Sequence, residues 1–125
     1  MNPMKRHPIK WLDEPQDHDY PAARSYLTLI LKPTEAKAAV TKLRKAKVIQ
    51  HPAKDLFRAS RLPLLDLNNS HVEKDKSRID AGEKLSPLLL FRDKRNGRLV
   101  IADGYHRLCA VYHFDEDAMI PCKII

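Results

Sequence analysis

Glycine is scarce in this 125-residue chain: there are three, at positions 82, 97 and 104, so each marks a place where the backbone has a reason to want one. The two cysteines, Cys109 and Cys122, are too few for a disulfide framework and lack the spacing of a metal site. The six histidines include no His-x-x-x-His pair, so no metal ligand set is expected. Apolar runs are short, as in Leu88-Leu89-Leu90-Phe91, against the ~20 residues that a membrane helix needs. The basic start, Met1 to His7, is followed by the acidic Asp13 to Asp19 segment where a signal peptide would carry its apolar core. These shortages exclude a disulfide scaffold and a membrane partner, and they lead to the expectation of a reduced, cytoplasmic protein.

What the chain does have is positive charge, unevenly placed. Lys plus Arg number 23 against 16 Asp plus Glu, a net charge of +7. Residues 32–61 hold nine of the cations against Glu35 and Asp55, whereas residues 63–125 balance at ten of each sign. A polyanionic or acidic partner is therefore expected to act through that one stretch. At 43% hydrophobic the chain has enough apolar matter for a core, and its length suits one domain.

The first twenty residues are proline-rich and polar, and read as an arm stapled to the domain by Trp11. Asp19-Tyr20-Pro21 reads as a helix start with Asp19 as the cap, followed by Ala23, Tyr26, Leu27 and Ile30 at helical spacing. Thr34 is placed to cap a second helix, with Ala36, Ala39, Val40, Leu43 and Ala46 inward and Lys37, Lys42, Arg44, Lys45 and Lys47 outward. Val48 to Pro52 reads as an edge strand, residues 54–64 as a loop, and His71 to Ala81 as a charged helix ended by Gly82. Leu88–Arg92 and Arg98–Ala102 form a hairpin across Asn96-Gly97, then a helix spans Tyr105–Phe114 and a last strand Met119–Ile125.

The informative segment is Leu99-Val100-Ile101-Ala102-Asp103-Gly104-Tyr105-His106-Arg107, an apolar strand running through Asp-Gly into a helix with two cations in its first turn. A helix N-terminus exposes unpaired N–H groups and the positive end of a dipole, and Arg and His add charge-assisted donors, so an anion suits the site. The alternative is that Asp103 caps those N–H groups itself, leaving Gly104 as a turn residue, His106 as a polar first-turn residue and Arg107 in a surface salt bridge.

Pro87-Leu88-Leu89-Leu90, the hairpin, Asp103-Gly104-Tyr105-His106-Arg107 and the preceding Gly82-Glu83-Lys84-Leu85-Ser86-Pro87 together resemble the ParB/sulfiredoxin-like fold. The resemblance covers residues 48–125. It implies an α/β (α+β) domain with a small mixed sheet and flanking helices, preceded by an arm and helical hairpin extension over residues 1–47. It further implies a nucleotide or phosphate-ester site at Gly104, His106 and Arg107, with Lys74 and His71 contributing from the helix over 71–81. Arg58, Ser60 and Arg61 would contact substrate from the 54–64 loop, and Asp103 is the candidate catalytic carboxylate by likeness to the Asp-Gly turn of the free serine kinases. ATP, ADP or CTP, with Mg²⁺, are the nucleotides and ion that the resemblance implies, for phosphotransfer or nucleotide hydrolysis. Sulfiredoxin chemistry is not expected, because Tyr105 stands at the nucleophilic cysteine's place and a phenol with pKa ~10 is no thiolate near neutral pH. The Arg-rich box, helix-turn-helix and dimerisation domain of full partition proteins are not expected either. The competing expectation is a nucleic-acid-binding accessory protein, acting through Lys37, Lys42, Arg44, Lys45 and Lys47 without chemistry. Whether the chain forms a homodimer is open.

Overall fold

A computed structural model describes residues 8–125, so the basic Met1–His7 segment lies outside the described residues. The described residues are mixed α/β, with five helices and two sheets. The main sheet contains β2 (Ile49–Pro52), β4 (Leu88–Asp93), β5 (Arg98–Asp103) and β6 (Met119–Ile124), in the order β2-β6-β4-β5. β4 lies parallel to β6, while β2 with β6 and β4 with β5 are antiparallel.

Alternation along these strands produces two cores. Leu88, Leu90, Ile101, Ile120 and Cys122 face one side, where α3 (Ala53–Ser60), α4 (Ser70–Asp80) and α5 (Tyr105–Phe114) cover them with Leu56, Val72, Ile79, Leu108 and Val111. Leu89, Val100 and Ala102 face the other side, where α1 (Asp19–Leu27) and α2 (Pro33–Lys45) bury Ala23, Leu27, Ala36, Val40 and Leu43. The helical hairpin expected as an extension therefore supplies half of the apolar cover of the sheet. Among the described residues, no helix is long and apolar enough to cross a membrane.

The same alternation points Lys123 into the second core, where it is almost fully buried. Its Nζ donates to the Arg44 carbonyl at 3.0 Å and pairs with Glu14 at 2.9 Å, so it serves one of the free carbonyls at the end of α2. Burial opposes the ammonium charge, but the Glu14 carboxylate and the Tyr20 hydroxyl outweigh it and hold the lysine above its ordinary pKa.

Three local expectations are corrected. Asp19 does not cap α1; it lies inside the first turn, His18 holds the cap position, and the buried Asp19 carboxylate faces Ser86. Thr34 does not cap α2, which begins at Pro33; instead Glu35 Oε1 accepts the Lys32 N–H at 3.0 Å. Residues 53–60 form α3, so much of the expected 54–64 loop is helical. Ala53, Leu56, Phe57 and Ser60 are its buried face, at i, i+3, i+4 and i+7.

The arm is more than a staple. Lys10–Trp11 form the short strand β1, parallel to β3 (Lys84–Leu85), and Leu12 N–H donates to the Leu85 carbonyl at 2.8 Å. Further on, Gln16 N–H donates to Asp19 Oδ2 at 2.9 Å and to Ser86 Oγ at 3.2 Å, while the Ser86 hydroxyl donates to Asp19. One serine thus ties the arm to the start of α1 and to the entry of β4. Ser86→Ala leaves a buried carboxylate without that donor, and should cost about 1–3 kcal/mol in urea denaturation. It should also speed amide exchange over residues 10–18; unchanged stability and exchange would show that the tie is dispensable.

Candidate functional site at the start of α5

The turn from β5 into α5 is made by Gly104, the cap residue, with φ of +113°. That conformation suits glycine, and packing requires it as well: a Cβ there would lie 2.7 Å from Leu88 Cγ and 2.9 Å from Arg107 Nη2. Glycine at 104 lets the end of β5 and the first turn of α5 close directly onto β4.

Asp103 does not cap the helix. No side chain caps α5, and Asp103 Oδ2 instead accepts from Arg107 Nη2 at 3.0 Å, one turn on. Both side chains are largely buried, at 18% and 15% exposure. Burial pushes the Asp103 carboxyl above its ordinary pKa, against the pull of the Arg107 guanidinium, and the negative charge of Asp19 adds to the rise. Arg107 also approaches the Pro87 carbonyl at 3.5 Å, and its Nε is buried with no partner among the described residues. A cation is thereby laid over the positive end of its own helix dipole, offset by a single carboxylate. An added anion would relieve that arrangement.

Arg107 opens into a cleft of about 330 Å³. Its walls include Arg78 from α4, Lys84 and Ser86 from the entry to β4, and His18 and Asp19 from the start of α1. Arg78 Nη1 pairs with Asp75 Oδ1 at 3.3 Å. Sequence reasoning missed His18, Asp19, Lys84 and Ser86. The only local signal was Asp19-Tyr20-Pro21, which reads as a helix start and does not announce a partner 67 residues away.

The remaining expected contacts divide. His71 and His106 do come together, with ring centroids 4.8 Å apart and Tyr105 5.5 Å from His106, but neither histidine lines the Arg107 cleft. Burial pushes His106 below its ordinary pKa, and His71 adds to the effect while Asp75 opposes it. Lys74 is exposed on α4 and does not line the cleft either.

Ser60, expected to meet substrate, is buried: its hydroxyl donates to the Phe57 carbonyl and accepts the Leu62 N–H, which closes α3. Arg58 and Arg61 line a separate groove with Lys54, Leu62, Leu64 and Tyr112. The cause is α3 itself, which turns its cations away from the buried face that packs on the sheet. Tyr105 is also accounted for, since its hydroxyl donates to the Pro63 carbonyl and helps His113, bonded to the Leu65 carbonyl at 2.8 Å, hold the loop after α3. Cys109 is buried behind it, with its thiol pushed up by burial.

The basic stretch does not form one surface. Lys37, Lys42, Arg44, Lys45 and Lys47 belong to the α2 layer, whereas Lys54, Arg58 and Arg61 lie with α3 on the opposite side of the sheet. Arg44 stacks on the Tyr20 ring at 4.4 Å, Lys54 pairs with Asp117 at 2.6 Å and Arg58 pairs with Asp55 at 3.3 Å.

Comparison with protein-family models, with curated proteins and with solved structures finds no match. The geometry of the site therefore carries the functional reading.

Gly104→Ala should lose about 2–4 kcal/mol, since it combines a left-handed backbone with overpacking against Leu88. Gly82→Ala should lose less, because its φ of +73° is also strained but its nearest neighbour is Lys10 Nζ at 3.8 Å. Equal losses in denaturant melts of the two variants would remove the packing account of Gly104.

Proposed function

We propose that this chain is a nucleotide- or phosphate-ester-binding protein of ParB/sulfiredoxin-like type, with the anion held at the first turn of α5. The observation that carries the reading is the uncapped start of that helix: Asp103 is turned back to Arg107, and the Arg107 guanidinium, whose Nε has no partner among the described residues, lies beside an open cleft. The first-turn N–H groups and the two arginines, Arg107 and Arg78, are the donors a phosphate would use. Arg78 replaces Lys74 and His71 as the contribution from α4, because it is the residue of that helix that reaches the cleft.

The proposal is of binding. Asp103, the carboxylate that a transfer step would use, is committed to Arg107, and no further acid or base is marked by its surroundings. His106 and His71 flank the turn and are assigned no direct phosphate contact.

Thermal melts with ATP, ADP, CTP and GTP, each with and without Mg²⁺, test the reading. A nucleotide at a hundred times its dissociation constant adds about 2.7 kcal/mol, which raises the melting temperature by roughly 8 °C or more in a chain of this size. Asp103→Asn combined with Arg107→Gln keeps a neutral hydrogen-bonded pair and should abolish the rise. No shift with any nucleotide, or a shift that survives the double substitution, contradicts the proposal. Salt-sensitive retention on DNA or RNA that depends on Lys42, Arg44 and Lys45, with no nucleotide shift, favours the nucleic-acid alternative.

A further inference from the structure

A further concavity lies at the opposite end of β5 from Gly104. The β4–β5 hairpin loop and the turn between α1 and α2 enclose a groove of about 550 Å³. Its floor is apolar, made by Ile30, Leu31 and Phe91, and its rim carries Lys94 and Arg95 from the hairpin loop. Ile30 is 42% exposed, and the preceding Leu29 and Tyr26, at the end of α1 and the turn after it, are 77% and 43% exposed. So much exposed aliphatic surface on one turn is uneconomical in water unless something covers it.

The charges around this groove are not equivalent. Its two carboxylates are already engaged: Glu35 accepts the Lys32 N–H at the start of α2, and Asp93 accepts from the Asn96 amide groups and from Arg98. The hydrogen bonds from Asn96 hold the Asp93 carboxyl below its ordinary pKa. By contrast, the side chains of Lys94 and Arg95 are exposed and have no ion pair or hydrogen bond among the described residues. Arg92, Lys94, Arg95 and Arg98 fall within seven residues, a local basic run that the even overall charge of residues 63–125 conceals.

We propose that this groove docks an acidic peptide segment of another protein, with an aliphatic side chain seated on Ile30, Leu31 and Phe91 and flanking carboxylates on Lys94 and Arg95. Charge complementarity names the sign of the partner, and the exposed aliphatic floor favours a peptide over a nucleic acid. A phosphodiester backbone would meet the same cations, but it offers nothing apolar to cover Leu29 and Ile30. The surface is separate from the Arg107 cleft, so it stands or falls apart from nucleotide binding.

The test uses the full chain and a fluorescein-labelled dodecapeptide of Asp and Glu with leucine at every fourth position. Its comparators are the same peptide with serine for leucine and a single-stranded oligonucleotide. Fluorescence anisotropy at about 0.05 M salt, where surface charges are weakly screened, should show saturable binding of the leucine peptide. Binding should weaken about tenfold or more in Lys94→Glu/Arg95→Glu and severalfold in Leu29→Ser/Ile30→Ser. Lys42→Glu/Lys45→Glu, which changes α2 alone, should leave it intact. All substitutions are at exposed positions, and unchanged melting temperatures confirm that the variants fold. Absence of binding, equal binding of the serine peptide, tighter binding of the oligonucleotide at these residues, or indifference to the hairpin substitutions overturns the proposal.

Discussion

Gly104 sits where β5 becomes α5, and the close approach of Leu88 to its Cα leaves no room for a side chain. Because the chain turns there without a loop, the first turn of α5 lies directly over the entry to β4. Asp103 is held at the strand end, on the side from which Arg107 can reach back to it. Had the turn been longer, Asp103 would have been free to swing onto the helix N–H groups as a conventional cap. The packing of one glycine against one leucine therefore decides how the carboxylate, the guanidinium and the helix end face one another.

The sheet on which this turn is built is covered on both sides, and the N-terminal hairpin is one of the covers. Lys123 shows how complete that cover is. It stands at a position where alternation along β6 puts it opposite Ile120 and Cys122, and a lysine there would suggest a solvated face. Instead α1 and α2 close over it, and its ammonium is kept charged by Glu14, the Tyr20 hydroxyl and the Arg44 carbonyl. The arm, the hairpin and the last strand thus meet at one buried cation. The Asp19–Ser86 contact fastens the same arm beside the cleft.

Features with a local cause were readable from the residues. The hairpin over 88–103 follows from Asn96-Gly97 between apolar runs, α4 from its charged periodicity and Gly82, and α5 from the Asp-Gly turn before an apolar stripe. α3 carried the helical spacing of Ala53, Leu56, Phe57 and Ser60, but Pro52 before it and Pro63 after it make the segment look like a loop. Its eight residues give the pattern little length in which to repeat. What no local pattern contains is the pairing of Asp19 with Ser86, the choice of Arg78 over Lys74 as the α4 side chain at the cleft, and the division of the basic stretch between two faces. Each of those depends on which helices pack on which side of the sheet. The net charge of +7 accordingly describes several surfaces and no single one.

The central claim is that the uncapped first turn of α5, with Arg107 beside it, receives an anion. Amide chemical shifts recorded by two-dimensional ¹H–¹⁵N NMR while ADP is titrated into the ¹⁵N-labelled chain address it most directly. The account predicts saturable shifts centred on the N–H groups of Tyr105, His106 and Arg107, with smaller ones at Arg78 and Ser86 around the cleft. Shifts that are absent, or that fall on α2 while the start of α5 stays still, would contradict it.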